Sequence, residues 1–179
     1  MKFEIPFYNI LNIFLTGLIF LGGFIFIFPK YIFYVLNNNI CSNLCVRLDT
    51  IITIGFFAFV YEIGLIINRL GVHIIERPLH KLRFLPFNHD YVLFNYAREK
   101  YPIMDSLSRE YALARTQIIL FLLLLILGCV AKKWWVIILC AVMIILFCFT
   151  LKKYAKKIVK LMNSAQSKQL NDKRNTRKE

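Results

Sequence analysis

The sequence predicts an all-α integral membrane protein with four transmembrane helices and amphipathic helices in its cytoplasmic loop. Of its 179 residues, 59% are apolar and only 18% are charged, a balance too hydrophobic for a soluble domain of this size. The apolar residues occur in four blocks, each close to the roughly 20 residues that cross a bilayer. Lipid is therefore the expected solvent for much of the surface.

Residues 1–72 hold the first two predicted transmembrane helices, with the outer loop 29–50 between them. The first apolar block runs from Phe7 to Phe28 and carries no charge. It is longer than the apolar core of a usual signal peptide and no small-x-small cleavage site follows it, so a retained span is expected. The second block runs from Ile51 to Ile67 and is interrupted by Glu62.

Residues 112–151 form a predicted hairpin of the third and fourth transmembrane helices. The third block runs from about Ala112 to Ala131 and is entered through the polar Arg115, and the fourth runs from Trp134 to Leu151. Only two lysines separate the blocks, so the helices must be antiparallel neighbours. The tryptophan pair that opens the fourth block is expected at the membrane interface.

The distribution of basic residues predicts the orientation. With the N-terminus, the long loop and the C-terminus on one side, nineteen Lys and Arg lie on that side and four on the other. The positive-inside rule makes the rich side cytoplasmic and gives an N-in, C-in topology. Cys41 and Cys45 then lie in the outer loop, as a disulfide or as free thiols, and no metal site is predicted there because further ligands are lacking.

A stripe of polar residues lies along the second span and the helix that continues it. Glu62 interrupts an apolar stretch, where an ionised carboxylate costs roughly 2.5 kcal/mol or more. At about 100° per residue, Arg69, His73 and Glu76 fall on the same side of a continuous helix as Glu62. Two small residues extend this stripe further into the membrane, Gly55 and Ala58.

Such a stripe faces protein or water rather than lipid, and the sequence leaves two interpretations open. The stripe forms a buried ladder of ion pairs that fixes helix packing, or it lines a pore, a vestibule or a proton-sensitive site. One four-helix protomer is too small to enclose a wide channel, so the second interpretation requires a homo-oligomer. On the first span, Asn9, Asn12 and Thr16 share a face, and hydrogen bonds between helices are expected for them.

Residues 73–111 form a predicted cytoplasmic loop with amphipathic helices. Its first part alternates apolar and charged residues around Pro78, as a helix at the membrane surface does. A short helix is expected over Asp90–Lys100. A further helix, capped by Asp105 or Ser106, should continue without a break into the third span and form a polar stalk below it. The polar residues of this stalk are Arg109, Glu110 and Arg115.

No catalytic residue and no cofactor is predicted. Arg83 and His89 have an Arg-x(4–6)-His spacing that resembles the ribonuclease motif of HEPN domains. Pro86 lies between them, however, and the loop has little room for the four-helix soluble domain that such an activity needs. The sequence has neither a Gly-x-Ser-x-Gly motif nor a phosphate-binding glycine loop. A non-enzymatic protein is expected, and a membrane-bound enzyme is the alternative.

Residues 152–179 form a predicted basic cytoplasmic tail. Its first part continues the fourth helix, with apolar residues on one side and lysines on the other, and the polar sequence beyond Ser167 is expected to fray. The lysines should attract anionic lipid of the inner leaflet, and non-specific binding of nucleic acid is the alternative. The lysines concerned are Lys152, Lys153, Lys156, Lys157 and Lys160.

Two short motifs and the layout of the chain resemble a known family. Tyr61-Glu62-x-Gly64 runs to Arg69-x-Gly71 in the second span, and Ser108-Arg109-Glu110-Tyr111-x-x-x-Arg115 enters the third. With four spans around a central cytoplasmic loop, the chain is similar to the small accessory membrane proteins encoded beside the RNA-guided, RNA-cutting effector of type VI-B CRISPR systems, and to their wider bacterial relatives. The resemblance implies a bacterial inner-membrane protein of antiviral defence that modulates the nuclease or acts downstream of it.

These observations lead to one main hypothesis. A homo-oligomer of the chain forms a pore or a sensor in the bilayer, and its cytoplasmic face recognises a defence nuclease or its RNA. A structural adaptor that recruits a cytoplasmic partner to the membrane is a further alternative.

Overall fold

The described part of the chain is almost entirely helical. A computed structural model describes residues 7–30, 46–76, 78–79 and 91–175, and no β-strand occurs in these segments. The helices are α1 (Phe7–Ile27), α2 (Val46–Gly71), a π-helical turn (Val72–Glu76), α3 (Tyr91–Lys100), α4 (Ile103–Val130) and α5 (Trp134–Asn175).

Four helical stretches are long and apolar enough to cross a membrane. They are Phe7–Ile27, Thr53–Ile75, Ile103–Val130 and Trp134–Lys168. The predicted all-α class with four transmembrane helices is confirmed, and the chain is a multi-pass membrane protein.

Helix α4 lies at the centre of the bundle. It packs against α1, α2 and α5, and Ile119 and Leu120 on it are fully buried. α1 and α4 begin, and α2 ends, at the same end of the bundle, which we call the loop end. At the opposite end, the turn end, α1 finishes beside the connection between α4 and α5.

Two glycines allow α1 and α2 to cross with their backbones in contact. A Cβ atom added to Gly17 would lie 2.9 Å from the carbonyl carbon of Val60, and one added to Gly64 would lie 2.8 Å from the carbonyl carbon of Ile13. Any side chain larger than hydrogen therefore separates the helices. Close backbone approach of this kind is how small residues drive helix association in lipid, where burial of apolar surface contributes little.

The turn between α4 and α5 is the tight antiparallel connection that the sequence predicts. Lys132 adopts a left-handed conformation with φ of 54°. The Lys133 ammonium group donates a hydrogen bond of 2.8 Å to the carbonyl oxygen of Phe26, at the end of α1, where unpaired carbonyls attract cations. Trp134 and Trp135 are 74% and 87% exposed, so both rings are available to the membrane interface.

The hydrophobic core of the bundle extends at the loop end to α3, which packs against α5. Ala97 of α3 and Ala155 and Ala165 of α5 are fully buried. Further along α5, the Lys168 ammonium group lies 5.6 Å from the centroid of the Tyr101 ring. The helix of the predicted loop thus docks on the predicted tail.

Three local predictions are wrong. α5 remains helical to Asn175 instead of fraying beyond Ser167. Asp105 and Ser106 do not cap α4, since Pro102 occupies the N-cap and no side chain bonds to the helix end. Finally, α2 continues as a π-helical turn rather than an α-helix, which changes the angular spacing of the last residues of the stripe.

Candidate functional site

The structure places three of the four predicted stripe residues on one open face of α2. Glu62, Arg69 and His73 are exposed, and together they line a shallow groove of about 250 Å³. The backbone of Glu76 lies in the π-helical turn, and its side chain lies outside the described part of the chain. The groove therefore has a glutamate, an arginine and a histidine along about three turns of helix.

This face is not the packing face of α2. The residues that pack against α1 and α4 are buried and recur at helical spacing, whereas Gly55 and Ala58, on the side of the stripe, are exposed. A Cβ atom added to Gly55 would meet nothing within 4 Å. The buried residues are Val60, Gly64, Ile67 and Gly71. Within the described part of the chain, the stripe is not a buried ion-pair ladder that fixes packing.

The crossing of α1 and α2 at Gly17 and Gly64 places Glu62 close to the middle of the bundle. Gly17 is the middle residue of α1, whose 21 residues extend about 31 Å and so match the bilayer hydrocarbon. Gly64 lies at the same height, and Glu62 is displaced from it by about 3 Å along the helix axis. An exposed carboxylate thus stands near the middle of the apolar bundle, among exposed Phe59 and Ile66.

A polar cleft of about 310 Å³ lies on the other side of α2, between α1, α2 and α4 at the loop end. It brings together polar residues from all three helices. Its polar lining residues are Asn9, Asn12, Thr16, Asn68, Ser108, Arg109, Arg115, Thr116 and Gln117.

Threonine side chains fix the walls of the cleft. The buried Thr116 hydroxyl lies 2.9 Å from both the Asn68 side-chain oxygen and the Ala112 carbonyl oxygen, which ties α4 to α2. The buried Thr16 hydroxyl donates to the Asn12 carbonyl oxygen of its own helix, at 2.8 Å. The prediction of hydrogen bonds between helices is thus wrong for Thr16, because its partner lies one turn back in α1.

Two arginines give the cleft a positive charge. Arg115 is half-buried and its stem passes over Gly71, where an added Cβ would lie 3.6 Å from the Arg115 Cγ. Arg109 is exposed, and its Nε donates to the Asp105 carbonyl oxygen at 3.3 Å. No acidic residue is among the described residues that line the cleft, and Glu110 of the predicted stalk is not part of it.

The two motifs that carry the family resemblance meet in this region. Gly64 of the first motif crosses α1, and Gly71 lies against Arg115 of the second. Tyr111 is buried in the core, and Arg109 and Arg115 line the cleft. The motif residues therefore have identifiable packing and cleft-lining positions.

The polar residues of the cleft are far apart in the sequence, and no shared site was predicted for them. Asn9 and Asn12 lie early in the first span, Asn68 lies at the end of the second, and Arg115 lies early in the third. In an antiparallel bundle these positions have the same depth, and that coincidence of depth was the signal that could have predicted the cleft.

Four of the five lysines that the sequence predicts for the basic surface of the tail are exposed. Lys153, Lys156, Lys157 and Lys160 are exposed, and Lys152 is half-buried. The Lys157 ammonium group lies 5.8 Å from the centroid of the Tyr154 ring. The remaining candidates lie outside the described residues and stay predictions. They are the pairs Arg83 with His89 and Cys41 with Cys45.

Comparisons of the chain with family models, with curated proteins and with solved structures gave no match.

Proposed function

We propose that the protein is a non-enzymatic, homo-oligomeric membrane protein in which α2 of several protomers surrounds a pore. The observation that carries this proposal is the exposed Glu62 near the bilayer midplane, on a face of α2 that the described part of the chain does not cover. A charged group at that depth costs about 2.5–3.5 kcal/mol on insertion scales when it faces lipid. Water in a pore between protomers removes this cost.

The order of charges along the stripe supports a ring of identical protomers. In a ring whose axis is normal to the membrane, the Glu62 side chains of all protomers lie at one depth and form a carboxylate ring. Arg69 follows seven residues later and forms a second ring about 10 Å closer to the loop end. A carboxylate ring favours cations, so we propose a cation-conducting pore.

The proposed topology has both termini and the segment 73–111 in the cytoplasm. Nineteen of the 23 Lys and Arg then lie on the cytoplasmic side, when Arg69 and Arg115 near the cytoplasmic ends of their spans are included, as the positive-inside rule requires. The exposed lysines of α5 in this arrangement face the anionic inner leaflet or a nucleic acid.

The cellular setting that we propose is antiviral defence at a bacterial inner membrane, with an RNA-guided nuclease as partner. This part rests on the resemblance of the two motifs to the accessory proteins of type VI-B CRISPR loci. Membrane potential measured in cells that carry the chain, with and without a phage trigger, tests it. A membrane potential that stays unchanged under both conditions contradicts the pore and favours a structural adaptor that recruits a cytoplasmic partner to the membrane.

The decisive experiment on the pore is cation flux in liposomes. The purified wild type, Glu62→Gln and the matched control Glu99→Gln, a glutamate exposed on α3, are reconstituted at equal density. We expect a several-fold loss of potassium flux for Glu62→Gln and unchanged flux for Glu99→Gln. Light scattering must give the same oligomer mass for all three proteins. Equal flux for Glu62→Gln and wild type, or a monomeric wild type, contradicts the proposal.

A further inference from the structure

Exposed lysines form a stripe along the part of α5 that follows its apolar block. These residues, which we call the lysine stripe, are Lys153, Lys157, Lys160 and Lys168. At about 100° per residue they lie within an arc of roughly 80° on one side of the helix, and at 1.5 Å per residue they extend over about 22 Å. The sequence from Trp134 to Lys168 contains no acidic residue, so this part of α5 supplies no carboxylate to the stripe.

Two tyrosine rings border the lysine stripe. Tyr154 belongs to α5, and the Lys157 ammonium group lies 5.8 Å from the centroid of its ring. Tyr101 follows α3 in the chain, and its ring centroid lies 5.6 Å from the Lys168 ammonium group. Both rings pack against the hydrophobic core and remain half-buried. The surface therefore pairs an aromatic ring with an ammonium group twice, at positions about 16 Å apart along the helix axis.

The length of α5 argues against anionic lipid as the partner of the whole stripe. The apolar block ends at Leu151, and Lys168 stands about 25 Å further along the helix. At a tilt of 40°, the upper end of the usual range, this is still about 19 Å along the membrane normal. The headgroup region covers about 5–7 Å of that distance. The remaining gap of about 12 Å exceeds the Debye length of about 8 Å at physiological ionic strength, so attraction to lipid charges is largely screened at Lys168.

A single-stranded nucleic acid fits the whole surface. Its phosphates suit ammonium groups, and its bases can stack on aromatic rings whatever their sequence. At 3.4 Å per nucleotide of a stacked strand, the stripe corresponds to about six nucleotides, within the 4–16 nucleotides that single-strand-binding folds cover. A duplex offers the same phosphates, but its bases stack on one another and leave no free base for the tyrosines.

We propose that the lysine stripe, Tyr101 and Tyr154 bind single-stranded nucleic acid without sequence preference. The lysines contact phosphates, and each tyrosine stacks on a base. This site rests on the proposed topology, which places it in the cytoplasm, but it does not depend on the pore. Its binding is measured on solubilised protein without ion flux, so failure of the pore and failure of this site are distinguishable.

The test is fluorescence anisotropy of labelled probes of about 12 nucleotides, added to the purified full-length protein in non-ionic detergent. The probes are oligouridine and oligodeoxythymidine. For the wild type we expect a Kd between about 10⁻⁶ and 10⁻⁴ M at physiological salt, as for other non-specific binding. Tighter binding of the RNA probe would support the site and indicate a contact with 2′-hydroxyl groups. Absence of binding for both probes overturns the proposal.

Lysine variants test the phosphate contacts. Lys157→Gln and Lys168→Gln should each reduce the slope of log affinity against log salt concentration by about 0.7, the value for one lost phosphate contact with a single strand. Lys30→Gln removes the same charge from an exposed position at the turn end and should leave the slope unchanged. Equal slopes for Lys168→Gln and Lys30→Gln are incompatible with the site.

Tyrosine variants test the stacking. Tyr101→Leu and Tyr154→Leu remove the ring but keep an apolar side chain, and each should weaken binding about fivefold or more, the lower limit for loss of one base stack. Tyr101→Phe and Tyr154→Phe keep the ring and should bind within about twofold of wild type. The Tyr154 pair of variants keeps the test valid even where Tyr101→Leu disturbs the docking of α3. Equal affinities of the Leu and Phe variants at Tyr154 would overturn the stacking site.

A lipid arm separates nucleic acid from the membrane surface. The wild type and Lys168→Gln are compared in nanodiscs of phosphatidylcholine, with and without phosphatidylglycerol. Because Lys168 lies beyond the reach of lipid charges, the loss of oligouridine affinity in Lys168→Gln should be the same in both nanodiscs. A loss that disappears when phosphatidylglycerol is present would assign the stripe to the lipid surface and overturn the proposal.

Discussion

Replacement of Gly64 by alanine tests the crossing of α1 and α2. The added Cβ would lie 2.8 Å from the carbonyl carbon of Ile13, and closer still to its oxygen. An ordinary carbon contact begins at 3.4 Å, so α1 must move away by at least about 0.6 Å. The obstacle is backbone, which cannot rotate aside as a side chain does, and overpacking of this kind costs about 1–3 kcal/mol.

A matched control isolates that cost. Alanine favours a helix over glycine by about 0.5–1 kcal/mol, so Gly64→Ala combines a gain with a larger loss. Gly22 lies in α1 with nothing within 4 Å of its added Cβ, and Gly22→Ala should show the gain alone. The difference in the free energy of unfolding between the two variants therefore gives the overpacking cost, about 1–3 kcal/mol.

The assay is unfolding in mixed micelles with a rising fraction of sodium dodecyl sulfate, followed by circular dichroism. Gly64→Ala should unfold at a lower fraction than wild type, and Gly22→Ala at an equal or higher one. The double variant Gly17→Ala with Gly64→Ala should lose less than the sum of the single variants, because one separation of the helices relieves both contacts. Equal midpoints for Gly64→Ala and Gly22→Ala would refute the reasoning.

Three further predictions concern the ends of the helices and use the same unfolding titration. Lys133→Met removes the hydrogen bond to Phe26 and should destabilise the protein by about 1 kcal/mol; an unchanged midpoint would show that this contact contributes nothing. Lys132→Gly should stabilise the turn by up to about 1 kcal/mol, because φ of 54° suits glycine, and a loss of stability would contradict this. Asp105→Asn breaks an ion pair with Arg98 in which both side chains are about half exposed. Because solvent screens such a pair, the free energy of unfolding should fall by less than about 1 kcal/mol, and a larger change would contradict this.

The spans were predictable because their signal is local. An apolar block of about 20 residues has one stable environment, in which a helix satisfies every backbone group. The α4–α5 turn was equally predictable, because two lysines between two such blocks allow only a tight antiparallel connection. The end of α5 was not, because the residues from Lys168 to Asn175 are almost all polar and have no apolar period.

The two candidate sites also differ in how far the sequence could predict them. Glu62, Arg69 and His73 lie on one helix, so the angle per residue was enough to predict their shared face. The cleft joins Asn12, Asn68 and Thr116 from three helices. No angle per residue relates side chains on different helices, and their common depth at the loop end was the one signal that they meet.

The length of α5 has a mechanical consequence. Its 42 residues form a rod of about 63 Å, roughly twice the thickness of the bilayer hydrocarbon. One end is anchored at the turn beside α1 and the other end carries α3. A tilt of only about 10° around the anchored end displaces the far end by about 11 Å for a rod of this length. A change in the tilt of α5 within the membrane would therefore have its largest effect on the part of the helix that extends beyond it.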